Sequence, residues 1–180
     1  TLPIIGDFSN GNDGVVLKDT DELTDIEGQR VNLVELSVSH YLLARALESV
    51  GMSERDVTVV NTSDADIVGA FSTPDVTAAV TWNPQLSELR AMPEANVVFD
   101  SSDIPGEIID TLALNTEVLE ANPELGKALT GAWYEIMARM SGDDETGVDA
   151  RTRMAEAAGT DLPGYEAQLA STQMFYDAAD

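Results

Sequence analysis

The sequence predicts an α/β fold with helices packed on the faces of a parallel sheet, and three observations carry that prediction. Short β-branched runs alternate with helical patterns from residue 29 to residue 104, only a few residues separate one element from the next, and turn or cap residues stand at the junctions. Alternation of this kind with short connections is what crossover units of a parallel sheet require.

Val31-Asn32-Leu33-Val34-Glu35-Leu36 alternates apolar and polar residues and reads as the first strand. Ser37-Val38-Ser39 then leads into a stripe at Leu42, Leu43, Ala46, Leu47 and Val50, a helix that Gly51 stops where a left-handed residue is wanted. Val57 to Val60 is a second strand, and Asp64 to Phe71 a short helix started by Thr62 or Ser63. Val76 to Trp82 is a third strand, followed by Asn83-Pro84 as a cap with proline at the first helical position of Gln85 to Ala91. Asn96 to Asp100 is the fourth strand. Residues 29–104 therefore form a complete β-α-β-α-β-α-β lobe.

The flanks differ. Apolar runs at Leu2 to Ile5 and Val15 to Leu17 surround Ser9-Asn10-Gly11-Asn12-Asp13-Gly14, rich in Asn-Gly and Asp-Gly turn formers. Ile108 to Asn115 reads as extended, and the rest as helical. Asn122-Pro123 launches a helix to about Met140 whose apolar positions Leu125, Ala128, Leu129, Ala132, Trp133, Ile136, Met137 and Met140 predict one buried face. Two shorter helices follow, Val148 to Ala158 and Gly164 to Thr172. A stripe of that size needs a partner sheet, so residues 1–28 and 105–180 are expected to be pieces of a second, incomplete α/β lobe. The crossovers are placed near 18–29 and 103–110.

Composition narrows the function. With 33 acidic against 9 basic residues the formal charge is −24, which repels phosphate backbones and anionic membrane surfaces. Nucleic-acid partners are excluded on that ground. No apolar run approaches the ~20 residues of a membrane span, so no membrane insertion is expected. The absence of cysteine removes disulfides, thiolate nucleophiles and iron–sulfur clusters, and a single histidine disfavours His-based metal sites and triads. Phosphate-loop, dinucleotide, HExxH and GxSxG signatures are missing, and Asp7–Gly14 lacks the spacing of a calcium loop. No catalytic residue, cofactor or metal is predicted.

In open parallel sheets ligands sit outside the carboxyl ends of the strands. That rule selects Glu35–His40, Asn61–Asp64, Thr81–Pro84 and Asp100–Ser102. Ser37 and Ser39 bring hydroxyls, and His40 a ring, to the N–H groups of a helix start, either as ordinary capping or as a seat for an oxygen or small anion. Trp82 is either core or the flat wall of a pocket. The segments 35–41, 81–85 and 100–110 hold no Lys or Arg but offer Glu35, Asp100, Asp103, Glu107 and Asp110. A strong anion usually meets a fixed cation, so this lining predicts a neutral amide or a small cation as ligand.

An ordered series then meets a family. Asp7 to Val16, Ile26 to Val31, Glu35 to Leu43, Thr81-Trp82-Asn83-Pro84 and Asp100 to Asp110 resemble the periplasmic solute-binding proteins of nitrate/sulfonate/taurine-type ABC importers. The resemblance covers nearly the whole chain and is greatest to the branch associated with urea carboxylase and urea transport. It implies a two-lobed, hinged periplasmic binding protein fold of type 2, with one parallel-sheet lobe complete here and part of the other, more of the first lobe preceding Thr1 and more chain following Asp180. It also implies a periplasmic location, a small-molecule ligand in the interlobe cleft, and ABC permease and ATPase partners. Carried onto this sequence, the family's ligand positions fall on Ser37, Ser39, His40, Trp82 and Asn83, with Ser9 and Asp13 at the first crossover and Asp110 at the second. Together with Glu35 and Asp110 as partners for N–H donors, the resemblance points to a urea- or guanidinium-like cargo, with sulfonate, taurine or nitrate as the alternative. Rival readings are the effector domain of a transcription regulator and a pyrimidine-precursor synthase, the latter poorly supplied by one His, Lys18 and Lys127.

Overall fold

A computed structural model describes residues 1, 4–177 and 179. The chain divides into two compact units, one of residues 9–108 and one of residues 1–8 with 109–180.

The 9–108 unit is built on five strands. In chain order they are β2 (Asp13–Lys18), β3 (Arg30–Leu33), β4 (Thr58–Asn61), β5 (Ala78–Trp82) and β6 (Ala95–Asp100), in the sheet order β4-β3-β5-β2-β6. β3 runs parallel to both β4 and β5, as the alternation predicts. β2 runs antiparallel between β5 and β6, so the sheet is mixed and not wholly parallel. Val15 to Leu17, expected in the other lobe, is thus a central strand here. Its three residues are apolar in succession because both faces are covered. Val15 and Leu17 pack with Val31, Leu33, Val80 and the stripe of α1 (Val38–Ser49). Val16 packs on the opposite face with Ile67 and Phe71 of α2 (Asp64–Phe71) and Leu86 and Leu89 of α3 (Gln85–Arg90).

Local chemistry explains the boundaries. Gly51 ends α1 at φ +75°, as expected of a left-handed stop. The first strand is shorter than expected: β3 ends at Leu33, and Glu35 and Leu36 form a turn, with Leu36 at φ +61°. Asn83-Pro84 departs from the predicted cap. Pro84 itself is the N-cap of α3, and the Asn83 side chain caps no backbone N–H there: its Oδ1 accepts from Ser87 Oγ of α3 at 2.6 Å and its Nδ2 donates to Asn12.

The second unit has a three-stranded sheet in the order β7-β1-β8, from β1 (Ile4–Ser9), β7 (Ile109–Leu112) and β8 (Thr172–Met174), with β1 and β7 antiparallel. Leu2 and Pro3 of the expected first run lie outside the described residues. Helices α4 (Thr116–Ala121), α5 (Pro123–Met140), α6 (Glu145–Ala157) and α7 (Leu162–Leu169) complete the unit. α4 falls in the stretch read as helical, whereas β8 is a strand where only helix was expected. The α5 stripe is covered only in part: Met137 and Met140 are buried, while Leu125, Ala128, Ala132 and Ile136 are exposed. Trp133 lies over Gly6, where an added Cβ would come within 2.8 Å of its ring. Arg151 ties the helices together, donating to Met140 O and Gly142 O at 2.7 Å each and to Glu166 at 2.9 Å. No helix among the described residues is long and apolar enough to cross a membrane.

Candidate functional site

The carboxyl rim of the five-stranded sheet gathers most of the residues singled out from sequence. Asp13 lies opposite Trp82, and Gly14 opposite Asp100, so the start of β2 and the ends of β5 and β6 meet at one edge. Loop 9–13 is held there by a buried network. Ser9 Oγ donates to Asp13 Oδ2 at 2.5 Å, so Ser101 Oγ, 2.7 Å away, donates its own proton to Ser9. Ser101 Oγ in turn accepts the Gly11 N–H at 2.7 Å. Ser9, Asp13 and Ser101 are all buried. Asn83 fastens the same loop from the β5 side, its N–H donating to Asn12 O at 2.9 Å and its Nδ2 to Asn12 Oδ1 at 2.7 Å. Trp82, half-buried, sits between this loop and the end of β3.

The second cluster is the start of α1, at the end of β3. Ser37 is its N-cap: Oγ accepts from Ser39 N at 3.1 Å and donates to Val34 O at 2.7 Å. Ser39 is fully buried and its hydroxyl has no hydrogen-bond partner among the described residues. His40 Nδ1 accepts the Leu36 N–H at 3.0 Å, while its Nε2 lies 3.4 Å from Glu54 Oε2. Glu35 is exposed, and its N–H donates to Asn61 Oδ1 at 3.0 Å.

Most of the carboxylates expected to line the rim are already engaged. Asp100 accepts from Ser102 N at 2.8 Å and lies 3.5 Å from Arg90, and Asp103 accepts from Asp100 N at 2.9 Å. Glu107 takes Arg45 Nε at 2.7 Å and Tyr41 Oη at 2.5 Å. The Arg45 hydrogen bond, then that of Tyr41, pulls the Glu107 carboxyl down to about 2. Asp110 falls in the other unit, opposite Asp7 across β1 and β7. Burial first, then the Asp110 charge, pushes Asp7 up to about 6.

Two participants were not singled out from sequence. Ser101 stood inside a selected segment, but its central place in the loop network depends on a pairing 88 to 92 residues away. Arg90 lies outside the segments noted as free of basic residues, yet its Nη2 reaches Gly11 O at 3.3 Å. A cation therefore does reach this loop, contrary to the expected lining. Among the described residues no group of three or more His, Cys, Asp or Glu is placed to hold a metal ion.

Residues 9–159 match the family described as NMT1/THI5 like. The chain belongs to that family. This NMT1/THI5-like chain is 27% identical over 117 residues to the taurine-binding periplasmic protein of Escherichia coli K12, an alignment covering 63% of this chain and 36% of that protein. Its fold is that of the alkanesulfonate-binding protein SsuA of Xanthomonas axonopodis pv. citri, solved bound to MOPS (TM-score 0.75, 20% identity, 96% of this chain and 61% of that one). The periplasmic aliphatic sulphonate binding protein SsuA of E. coli superposes equally well (TM-score 0.75, 20% identity, 98% and 59%). The NMT1/THI5-like chain thus spans about a third of the taurine-binding protein and about three-fifths of these solved chains. The α/β fold is that of periplasmic solute-binding proteins.

Proposed function

We propose that the protein is the substrate-binding component of an ABC importer, working in the periplasm with a permease and an ATPase, and that its cargo is a small solute with a sulfonate-type head group. One observation carries the choice of head group. Among the described α-helices, α1 alone has no carboxylate at its N-cap or in its first turn. In a chain with 33 acidic residues, the first turn of that helix is capped by a neutral hydroxyl, with Glu35 only in the turn before it, and an oxyanion placed there would be stabilised by N–H groups and the helix dipole. The names of the taurine- and alkanesulfonate-binding relatives support the same choice. A urea- or guanidinium-like cargo relied on Glu35 and Asp110 as partners for N–H donors; Asp110 belongs to the other unit, and Asp100, Asp103 and Glu107 of the same lining are engaged by their own donors.

Calorimetric titration of the intact protein with taurine, butanesulfonate, nitrate, urea and guanidinium tests this reading. Saturable binding of the sulfonates is expected. Binding of guanidinium or urea with no response to either sulfonate would refute the head-group assignment.

A further inference from the structure

Leu36 combines two features that a surface residue ordinarily avoids. The residue is 91% exposed, more than any other large apolar residue described. Its backbone stands at φ +61°, a region that glycine or asparagine enters freely and leucine does not. Strain of this kind persists only where the surroundings over-determine it, and here they do. The Leu36 N–H is taken by His40 Nδ1 and the Glu35 N–H by Asn61 Oδ1, each at 3.0 Å, while Ser37 Oγ closes on Val34 O at 2.7 Å. Three side chains from β4, α1 and the cap hold the turn so that a leucine stands in the open at the end of β3. Val38 and Tyr41, three residues apart on one face of α1, are 45% and 43% exposed and extend the apolar surface. Tyr41 is fixed by its bond to Glu107.

From Leu36, the turn that holds it and the adjoining start of α1, we infer that this leucine is a specificity-determining residue: it contacts the organic tail of the solute and makes the site one for alkyl-bearing anions over inorganic ones. The inference rests on the head-group reading above, since it places the tail beside a head group bound at α1. A side chain already fixed in the bound geometry gives apolar contact without further ordering. Each methylene of the tail brought against it should then tighten binding by up to about fourfold.

The test is calorimetric titration of the intact protein and its Leu36→Asn variant with methane-, butane- and hexanesulfonate. Asparagine keeps the left-handed backbone and removes the apolar branch. The native protein is expected to bind tighter with each longer tail. The variant should hold methanesulfonate within about twofold of the native value and lose most of the gain with length, and Leu36→Met should restore much of it. An undiminished gain with length in Leu36→Asn would overturn the inference while leaving the sulfonate reading intact. An equal loss for all three ligands would also overturn it, because the residue would then act on the turn and not on the tail. If the native protein binds no sulfonate, the head-group reading falls and this inference with it.

Discussion

Replacing Ser101 by alanine removes one oxygen from the centre of the loop network, and the structure sets the size of the effect. Its hydroxyl accepts the Gly11 N–H at 2.7 Å and donates to Ser9 Oγ at 2.7 Å, in a place with no exposed surface. The longer approach of Asp13 N, 3.4 Å, adds little. The alanine leaves a buried N–H without its acceptor, at about 1–3 kcal/mol, and deprives Ser9 of a donor, at about 1 kcal/mol. The expected loss is about 2–4 kcal/mol, or a fall of roughly 10 °C in melting midpoint for a chain of this length. Ser102 supplies the control, being next in sequence but exposed, with its hydroxyl bonded to Asp100 at 2.5 Å. Ser102→Ala should cost under about 1 kcal/mol. Urea unfolding of the native protein and both variants gives the comparison. A Ser101→Ala loss below about 1 kcal/mol, or one equal to that of Ser102→Ala, would refute the view that this hydroxyl holds the loop.

Two further expectations concern stability. The Asp7 carboxyl titrates near 6 in the folded chain against 3.8 for an unperturbed aspartate, so the folded form binds its proton more tightly. Its contribution is fully present below about 3.8, fades as pH rises through 6, and is absent above. Asp7→Asn should therefore stabilise at pH 7.5 by about 1–2 kcal/mol, a figure reduced from the full linkage value because the group is half exposed. At pH 4 it should do little; melts at both pH values check this, and an equal gain at each would point to another cause. Gly14→Ala would bring a Cβ within 2.9 and 3.1 Å of the buried Leu86 methyls and 3.3 Å of Val97. The expected cost is about 1–3 kcal/mol from overpacking, read as a lower urea midpoint at unchanged slope.

Local patterns were legible where one segment decides its own fate. The α2 helix runs from Asp64 to Phe71 as its sequence predicts, and Gly51 terminates α1. Strand direction was not legible, because Val15-Val16-Leu17 has the same apolar content whether it pairs parallel or antiparallel and whichever sheet it joins. Asn83-Pro84 and Asn122-Pro123 are the same dipeptide, yet only the second places proline at the start of the helix proper. Asn83 instead divides its amide between Asn12, 71 residues distant, and the Ser87 side chain of α3. At the start of α1 the Ser37 hydroxyl caps the helix, one of the two roles its sequence offered, whereas Asn83 does not cap α3. The engagement of the carboxylates was not legible, since the donors for Asp100 and Glu107 include Arg90 and Arg45, which arrive from other elements. The role of Leu36 was hidden because a backbone angle and an exposure leave no mark on composition.

The placement of β2 also sets the reach of the contacts on which the rim depends. Leu17 pairs with Ala78 and with Asn96, the latter 79 residues further along the chain. Closing so long a loop carries an entropic penalty before any contact rewards it. Among the described strands, β6 is hydrogen-bonded in its sheet to β2 alone. Ser9 and Ser101 flank those two strands, so their meeting depends on this long-range pairing. The turn that carries Leu36 has no such dependence, since its bonds join only β3, α1 and β4, so the two halves of the rim rest on contacts of very different reach along the chain.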